Sequence, residues 1–162
     1  MPSRMPRGAP CAPGVPVVDA RGGRPIASIR KDIPIDAPPE RVWAAVRAVD
    51  AVHERLVPGY VVATRLEGDT RTLTFADGAE VRELIVAVDD EARRLAYAVI
   101  GGRMPLTHHH ASLQVIGDGA GRSRLVWITD VLPHERAAEV RERVERGAAV
   151  MKQTLETAAA RG

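Results

Sequence analysis

Two side chains in this 162-residue sequence could carry out acid-base chemistry, Glu83 and His109. A carboxylic acid enclosed by apolar side chains has a raised pKa, and an imidazole within reach offsets that rise. Such a pair can serve as general base and general acid on a carbonyl substrate, as an aldol cyclisation or a dehydration requires. The two groups could instead form hydrogen bonds with each other, with a ligand or with water, as buried polar groups must. The residue types leave both interpretations open.

Three consecutive histidines, His108 to His110, raise the question of a metal site. Neighbouring residues on a strand face opposite ways, so His108 and His110 share one face, and no third ligand is evident for them. The sequence also lacks a glycine-rich phosphate loop after a strand and a nucleophile elbow, since its GDGAG segment separates two strand-like runs. We therefore expect no metal ion and no cofactor.

The elements that would position these groups follow from the periodicity of the apolar residues. Residues 26–35 alternate as a strand does, and residues 36–50 open with Pro38, Pro39 and Glu40 and continue at helical spacing. One or two further helical turns are expected up to residue 57. Six strand-like runs follow, separated by turn signals, and short connections between consecutive strands favour an antiparallel meander. The runs are 60–66, 71–75, 80–88, 93–100, 106–116 and 122–131.

The sequence ends in a long amphipathic helix, predicted from Pro133 to Ala160. Its apolar residues recur at steps of three and four and therefore share one stripe. The stripe consists of Val140, Val144, Ala148, Met151 and Leu155. Gly147 lowers helix stability by about 1 kcal/mol relative to alanine, so we expect a ligand or the sheet to approach the helix closely there. A strongly curved sheet wrapped around this helix would bury both apolar surfaces.

Alternation along the strands predicts which side chains point toward the helix. They are Tyr60, Val62 and Leu66 on one strand, Leu95, Tyr97 and Val99 on another, and His109 and Ala111 on a third. Alternation does not decide the direction of Glu83, because both faces of its strand carry apolar residues. It does not decide the direction of Trp127 for the same reason, and bulges are common in such sheets.

Composition indicates one globular domain, with 45% hydrophobic and 27% charged residues. Residues 1–24 are rich in proline, glycine and arginine and are expected to form a disordered tail before a domain at 25–160. The formal net charge is only +2, and no basic stripe interleaved with aromatic residues suggests nucleic acid as a partner. No apolar run approaches the length of a membrane span, so stable membrane insertion is not expected. Cys11 is the single cysteine, which favours a cytoplasmic location.

The order of these elements resembles the START-like helix-grip superfamily, also called SRPBCC. This superfamily includes polyketide cyclases and dehydratases, lipid-transfer domains, plant hormone receptors and pollen allergens. The resemblance covers about residues 26–157 and rests on IPIDAPPERVWAAVRAVD, DGAEVRELIVAVDDEARRLAYAVIGG, SRLVWITDVLP and the terminal helix. It implies an α+β fold with a curved seven-stranded antiparallel sheet wrapped around the long C-terminal helix, and two short helices after the first strand.

The resemblance also implies a hydrophobic cavity between the sheet and the helix, with Glu83 pointing into it. The segments 76–78 and 101–105 occupy the places of the gate and latch loops of the hormone receptors, and Met104 could meet a ligand at the mouth. The side chains expected to bind the ligand are Tyr60, Val62, Val81, Glu83, Tyr97, Val99, Met104, His109, Ala111, Trp127, Val144, Gly147, Ala148 and Met151.

Two functions are compatible with these residues. The first is a soluble carrier or sensor for a small hydrophobic or aromatic molecule, which the expected cavity favours in the absence of a complete catalytic motif. The second is an enzyme of the polyketide cyclase or dehydratase type that uses Glu83 and His109 as acid and base. A module that recognises a protein or a lipid surface is less consistent with the sequence, which has no basic amphipathic face. A monomer and a homodimer are both compatible with it.

Overall fold

The structure is a computed structural model that describes residues 27–162. The expected tail at residues 1–24 lies outside the described residues. Seven strands and three α-helices follow one another within residues 27–162. They are β1 (Ala27–Ile35), α1 (Pro39–Val46), α2 (Val52–Arg55), β2 (Val61–Glu67), β3 (Thr70–Phe75), β4 (Glu80–Asp89), β5 (Arg94–Gly101), β6 (His108–Gly117), β7 (Ser123–Leu132) and α3 (Ala137–Ala160).

The seven strands form one antiparallel sheet in the order β1-β7-β6-β5-β4-β3-β2. Strands β2 to β7 are a meander of sequential hairpins, because each connection is too short for a crossover. The pair α1 and α2 carries the chain from β1 at one edge of the sheet to β2 at the other. The predicted α+β helix-grip fold is confirmed, including the sheet, the two short helices after β1 and the long terminal helix.

Helix α1 begins where the sequence changes from alternation to helical spacing. Pro39 lies in its first turn, where a missing N–H costs nothing, and Glu40 adds a negative charge near the helix N-terminus. The indole of Trp43 donates a hydrogen bond to Asp90 Oδ1 over 2.8 Å, and Arg47 donates to the same carboxylate. These contacts fix α1 against the turn that joins β4 to β5.

Helix α3 buries the face that the sequence predicted. Its buried residues are Val140, Val144, Gly147, Ala148, Met151 and Leu155. The helix starts at Ala137 rather than at Pro133, because the chain first makes one 3-10 turn over His134–Arg136. The Arg136 N–H donates to the Pro133 carbonyl over 3.0 Å, as a three-residue repeat requires. Within residues 27–162, no helix is both long and apolar enough to span a membrane.

Candidate functional site

A cavity of about 140 Å³ lies between the concave face of the sheet and the helices α2 and α3. Its wall is mostly apolar, and it includes four aromatic side chains, Tyr60, Phe75, Tyr97 and Trp127. Tyr60 and Phe75 pack edge to face with their ring centres 5.2 Å apart. This arrangement provides an apolar chamber in which any polar group is exceptional.

One of the polar features of the wall is a buried ion pair between Arg71 on β3 and Glu83 on β4. The two residues lie directly opposite each other in the β3–β4 ladder, so their side chains project from the same face. Arg71 Nε donates to Glu83 Oε2 over 2.6 Å, and the two side chains are only 4% and 8% exposed. The Arg71 guanidinium carbon also lies 5.1 Å from the centre of the Tyr97 ring, which is a cation–π contact.

Two buried polar atoms in this wall have no hydrogen-bond partner within residues 27–162. They are Arg71 Nη1 and Thr129 Oγ1. Buried polar groups are almost always paired in folded proteins, because an unpaired one costs about 1–3 kcal/mol. Both residues line the cavity, but each of these two atoms exposes less than 1 Å².

Tyr97 and Trp127 connect the sheet to the helix above it. The indole N–H of Trp127 donates to the Tyr97 hydroxyl over 3.1 Å, and the described residues offer the hydroxyl hydrogen of Tyr97 no acceptor. Burial raises the pKa of Tyr97, and the neighbouring Glu83 carboxylate raises it further, so the phenol keeps its proton. Tyr97 therefore has a hydrogen to donate into the cavity.

The Trp127 ring explains the glycine in the middle of α3. A Cβ added at Gly147 would lie 3.2 Å from two atoms of that ring, closer than an ordinary carbon contact. The predicted close approach at Gly147 thus comes from a side chain of the sheet. A larger residue at this position would require the indole to move away from the helix by at least a few tenths of an ångström.

His109 contributes a ring nitrogen to the sheet itself. The β5–β6 ladder ends at the pair Tyr97–Ala111, and two residues further the Val99 N–H donates to His109 Nδ1 over 3.1 Å. Burial, together with the neighbouring His108 and His110, lowers the pKa of His109 to about 4. A neutral ring whose Nδ1 accepts a hydrogen bond carries its hydrogen on Nε2. His109 is therefore a hydrogen-bond donor near neutral pH.

The structure places most of the predicted ligand-binding side chains around this one cavity. From the sheet and its loops they are Tyr60, Val81, Glu83, Tyr97, Val99, Met104, His109 and Trp127, and from α3 they are Val144, Gly147 and Met151. Ala111 and Ala148 are 1% and 2% exposed but belong to the packed core rather than to the cavity wall. Glu83 and His109 flank Val99, the former across β4–β5 and the latter through the hydrogen bond to Nδ1.

The predicted inward direction of Val62 is wrong, since its side chain is 52% exposed. The cause is a register shift in the β2–β3 ladder between Val61 and Ala63. The extra residue reverses the alternation, so Val61 enters the cavity wall and Val62 faces solvent. Leu66 pairs directly with Arg71 and therefore lies on the inner face, as predicted from alternation, but it is on the edge strand and is 39% exposed.

Several cavity residues escaped the sequence analysis. They include Val52, Leu56 and Val57 on and after α2, Val61 on β2, Arg71 on β3 and Thr129 on β7. A signal for Arg71 was present, because residues two apart on a strand share one face, and Arg71 therefore lies on the same face as Leu73 and Phe75. Strand β7 keeps a regular register with both neighbours, so Leu125, Trp127 and Thr129 share the inner face without a bulge.

The two predicted entry loops lie beside each other. Gly102 and Met104 line the cavity, and a Cβ added at Gly102 would lie 3.4 Å from a methyl group of Val81 on β4. An exposed ion pair at 4.0 Å joins Arg103 to Asp77 in the neighbouring loop. Exposed pairs of this kind contribute only about 0–1 kcal/mol, so this contact leaves both loops free to separate.

A metal ion has no evident place in the described structure. Within residues 27–162, no three His, Cys, Asp or Glu side chains are grouped so that they could hold one. The three consecutive histidines are separated by the alternation of β6, because His109 lines the cavity and His108 is exposed.

Comparison with solved structures gives the same fold. A solution NMR structure from Thermobifida fusca is 29% identical, with 83% of this chain and 94% of that chain covered and a TM-score of 0.69. Truncated norcoclaurine synthase from Thalictrum flavum is 20% identical, with 81% and 91% covered and a TM-score of 0.64. A START superfamily protein from Mycobacterium smegmatis is 12% identical, with 83% and 97% covered and a TM-score of 0.65.

Sequence comparison identifies the family. No curated protein matches the chain by sequence. A family model described as polyketide cyclase / dehydrase and lipid transport matches residues 27–161, which is nearly the whole described part. The fold and the family match together make this a START-like domain of the type that binds hydrophobic ligands. The chain belongs to the polyketide cyclase / dehydrase and lipid transport family.

Proposed function

We propose that this protein is a carrier or sensor that binds one small hydrophobic or aromatic molecule in the cavity between the sheet and α3. The observation that supports this proposal is the chamber itself, with its apolar wall and its four aromatic rings. Concave, mostly apolar sites with a few placed polar groups are the usual binding sites of small molecules.

The size of the chamber suggests the size of the ligand. An apolar cavity of about 150 Å³ engineered into another protein accommodates benzene. The cavity here measures about 140 Å³, so a molecule with about one aromatic ring matches it without movement of the walls. Tyr60, Phe75 and Trp127 would offer that ring edge-to-face contacts.

The polar groups support binding more than catalysis. Arg71 Nε donates to Glu83 Oε2, and the Val99 N–H donates to His109 Nδ1, so both groups already have structural partners in the protein. The alternative is a cyclase or dehydratase in which Glu83 Oε1 would accept a proton and His109 Nε2 would donate one, because the other atom of each group is already hydrogen-bonded. The wild-type protein would then convert a poly-β-ketone, and a Glu83→Gln variant would not.

Cumene titrated against tryptophan fluorescence tests the binding proposal. Trp127 lines the cavity, whereas Trp43 lies on α1 and donates a hydrogen bond to Asp90 in the β4–β5 turn. We expect a saturable change in emission that persists in Trp43→Phe and disappears in Trp127→Phe. NMR shifts of the valine methyl groups provide a second readout that does not depend on tryptophan. If neither fluorescence nor methyl shifts respond to cumene, the chamber is not a binding site and the proposal fails.

The cellular setting is also part of the proposal. We place this function in the cytoplasm, with the small ligand as the partner, because one cysteine allows no intrachain disulfide. The near-neutral charge of the chain offers no attraction for nucleic acid.

A further inference from the structure

The Glu83 carboxylate has one oxygen that the protein leaves unpaired. Arg71 Nε donates to Oε2 over 2.6 Å, whereas Oε1 accepts no hydrogen bond within residues 27–162. Within the same residues, the fully buried side-chain atoms without a partner are Arg71 Nη1 and Thr129 Oγ1. Glu83 Oε1 is not one of them, so it retains accessible surface. Because Glu83 is only 6% exposed and lines the cavity, that surface opens on the cavity.

The strand register surrounds this oxygen with cavity side chains. Glu83 lies opposite Arg71 in the β3–β4 ladder and opposite Val99 in the β4–β5 ladder. Val81, two residues earlier on the same face of β4, lies opposite Leu73. All five residues line the cavity. A ligand group that reaches Oε1 therefore has its apolar body next to Leu73, Val81 and Val99.

An oxygen of this kind requires a hydrogen-bond donor from the ligand. A carboxylate paired with a guanidinium is ionised and only accepts hydrogen bonds. A carbonyl or ether in the ligand would bring a second set of lone pairs toward Oε1, whereas a hydroxyl can donate its hydrogen. Arg71 Nη2 is also unpaired and not fully buried, and a hydroxyl does not conflict with this donor because its oxygen can accept.

The charges of the wall favour a neutral donor over a cation. Arg71 already compensates the negative charge of Glu83, and the two side chains are 4% and 8% exposed. Glu83 is the one acidic residue among the described residues of the wall. A ligand ammonium group would therefore add a buried positive charge without a carboxylate to compensate it, which is strongly unfavourable.

We propose that the ligand is an uncharged phenol or aryl alcohol whose hydroxyl group donates a hydrogen bond to Glu83 Oε1. This inference rests on the proposed binding function and names the class of ligand. The aromatic ring would occupy the chamber of about 140 Å³, with one side against Leu73, Val81 and Val99. The hydroxyl would give the carboxylate oxygen the partner that the protein does not supply.

Probes built on one benzene ring test this ligand class by calorimetry at pH 7. Phenol donates, toluene has a methyl group in place of the hydroxyl, benzaldehyde only accepts, and benzylamine is a cation. Wild type should bind phenol at least about tenfold more tightly than benzaldehyde or benzylamine, because a hydrogen bond to a charged group is among the strong ones. Two further quantities are the toluene Kd and the benzaldehyde Kd, each divided by the phenol Kd. Comparing these ratios between wild type and variants removes the different hydrophobicity of the probes.

Two variants test the carboxylate oxygen. The double variant Arg71→Met with Glu83→Met removes the ion pair as a unit, and the toluene-to-phenol ratio should fall about 10- to 150-fold, as the loss of a hydrogen bond to a charged group implies. Glu83→Gln keeps an oxygen that can accept from Arg71 and places an amide NH2 group where Oε1 lies. It should therefore lower the benzaldehyde-to-phenol ratio by about fivefold or more. Glu80→Gln is the matched control, because Glu80 is exposed on the same strand and does not line the cavity.

The outcomes separate this inference from the proposed function. Ratios that fall in the two test variants and stay constant in Glu80→Gln support the inference. If toluene binds wild type but benzaldehyde or benzylamine binds as tightly as phenol, or if either test variant keeps its wild-type ratio, the inference is wrong and the binding function stands. If no probe binds wild type, both are wrong. The comparison of probes on wild type decides the matter even if neither variant folds.

Discussion

Glu83→Gln tests how the protein tolerates a buried charge at the centre of its cavity. The substitution is nearly isosteric and retains an oxygen that can accept from Arg71, but it removes the negative charge. In wild type the two groups are joined over 2.6 Å, with side-chain exposures of 4% and 8%. The variant therefore buries an uncompensated guanidinium in an otherwise apolar wall.

The expected loss follows from this geometry. Removing one partner of a buried ion pair costs about 3–5 kcal/mol, and the retained hydrogen bond places this variant near the lower end, at about 3 kcal/mol. A domain of this size loses roughly 0.3 kcal/mol of stability per degree at its midpoint, which converts the loss into a Tm lower by about 10 °C. Native stabilities of about 5–15 kcal/mol leave the variant folded.

The assay is urea denaturation at pH 7 with and without benzoate. Benzoate would supply the missing negative charge next to Arg71, so it should stabilise Glu83→Gln by about 2.7 kcal/mol at 100 times its Kd. Wild type should gain little, because its Glu83 already occupies that role. Glu80→Gln, at an exposed position on the same strand, is the control for removal of a carboxylate.

The reasoning is refuted by a small loss in the variant. If Glu83→Gln is destabilised by less than about 1 kcal/mol, or no more than Glu80→Gln, then the charge of Glu83 is not needed to compensate a buried Arg71. If benzoate stabilises wild type and variant equally, the anion binds elsewhere and does not replace the missing charge beside Arg71.

Three further predictions concern the walls of the cavity. Gly147→Leu should weaken cumene binding more than tenfold by forcing the indole above it into the cavity, whereas Ala149→Leu on the exposed face of α3 should not; equal affinities in a fluorescence titration would contradict this. The folded-state pKa of His109 lies below that of the unfolded chain, so the unfolded chain takes up a proton first as pH falls through 6.5, and stability is lost between pH 6.5 and 4. From the pKa difference, reduced for the partial exposure of the ring, we expect wild type to lose about 2 kcal/mol of unfolding free energy over this range. Urea denaturation should therefore show a smaller loss with falling pH in His109→Gln than in wild type. Equal losses in the two proteins would contradict this prediction. Val61→Ala should cost about 2 kcal/mol and weaken binding, whereas Val62→Ala should change stability by less than about 0.5 kcal/mol, and the reverse order in denaturation would rule out the bulge.

The strands and helices were predictable because local patterns specify them. Turn signals such as Asp77-Gly78 delimit the hairpins, and the three- and four-residue spacing of Val140, Val144 and Ala148 specifies one helical face. Predicted and observed strand ends differ by at most two residues. The helix ends differ more. Helix α1 ends at Val46 although helical spacing was read to residue 50, and α3 begins at Ala137 instead of Pro133, because a 3-10 turn before a helix leaves little trace in the spacing of apolar residues.

The direction of individual side chains was less predictable. Alternation placed Tyr97 and His109 toward the helix, and the cavity wall contains both. It failed at Val62, because a bulge depends on the pairing of two strands and has no signal in one strand alone. Alternation did not predict the direction of Trp127, which follows only from the continuous register of β7 with β1 and β6.

The sequence by itself determined the order of elements, the faces of most of them and the two candidate groups Glu83 and His109. Only the tertiary structure decided what those groups do. Arg71 comes from a neighbouring strand to occupy Glu83, and the Val99 N–H comes from another to occupy His109. Periodicity reports which way a residue faces, but partners are set by how strands lie beside one another. The unpaired atoms of Arg71 and Thr129 could not be predicted for the same reason, because whether a buried atom has a partner depends on the assembled sheet.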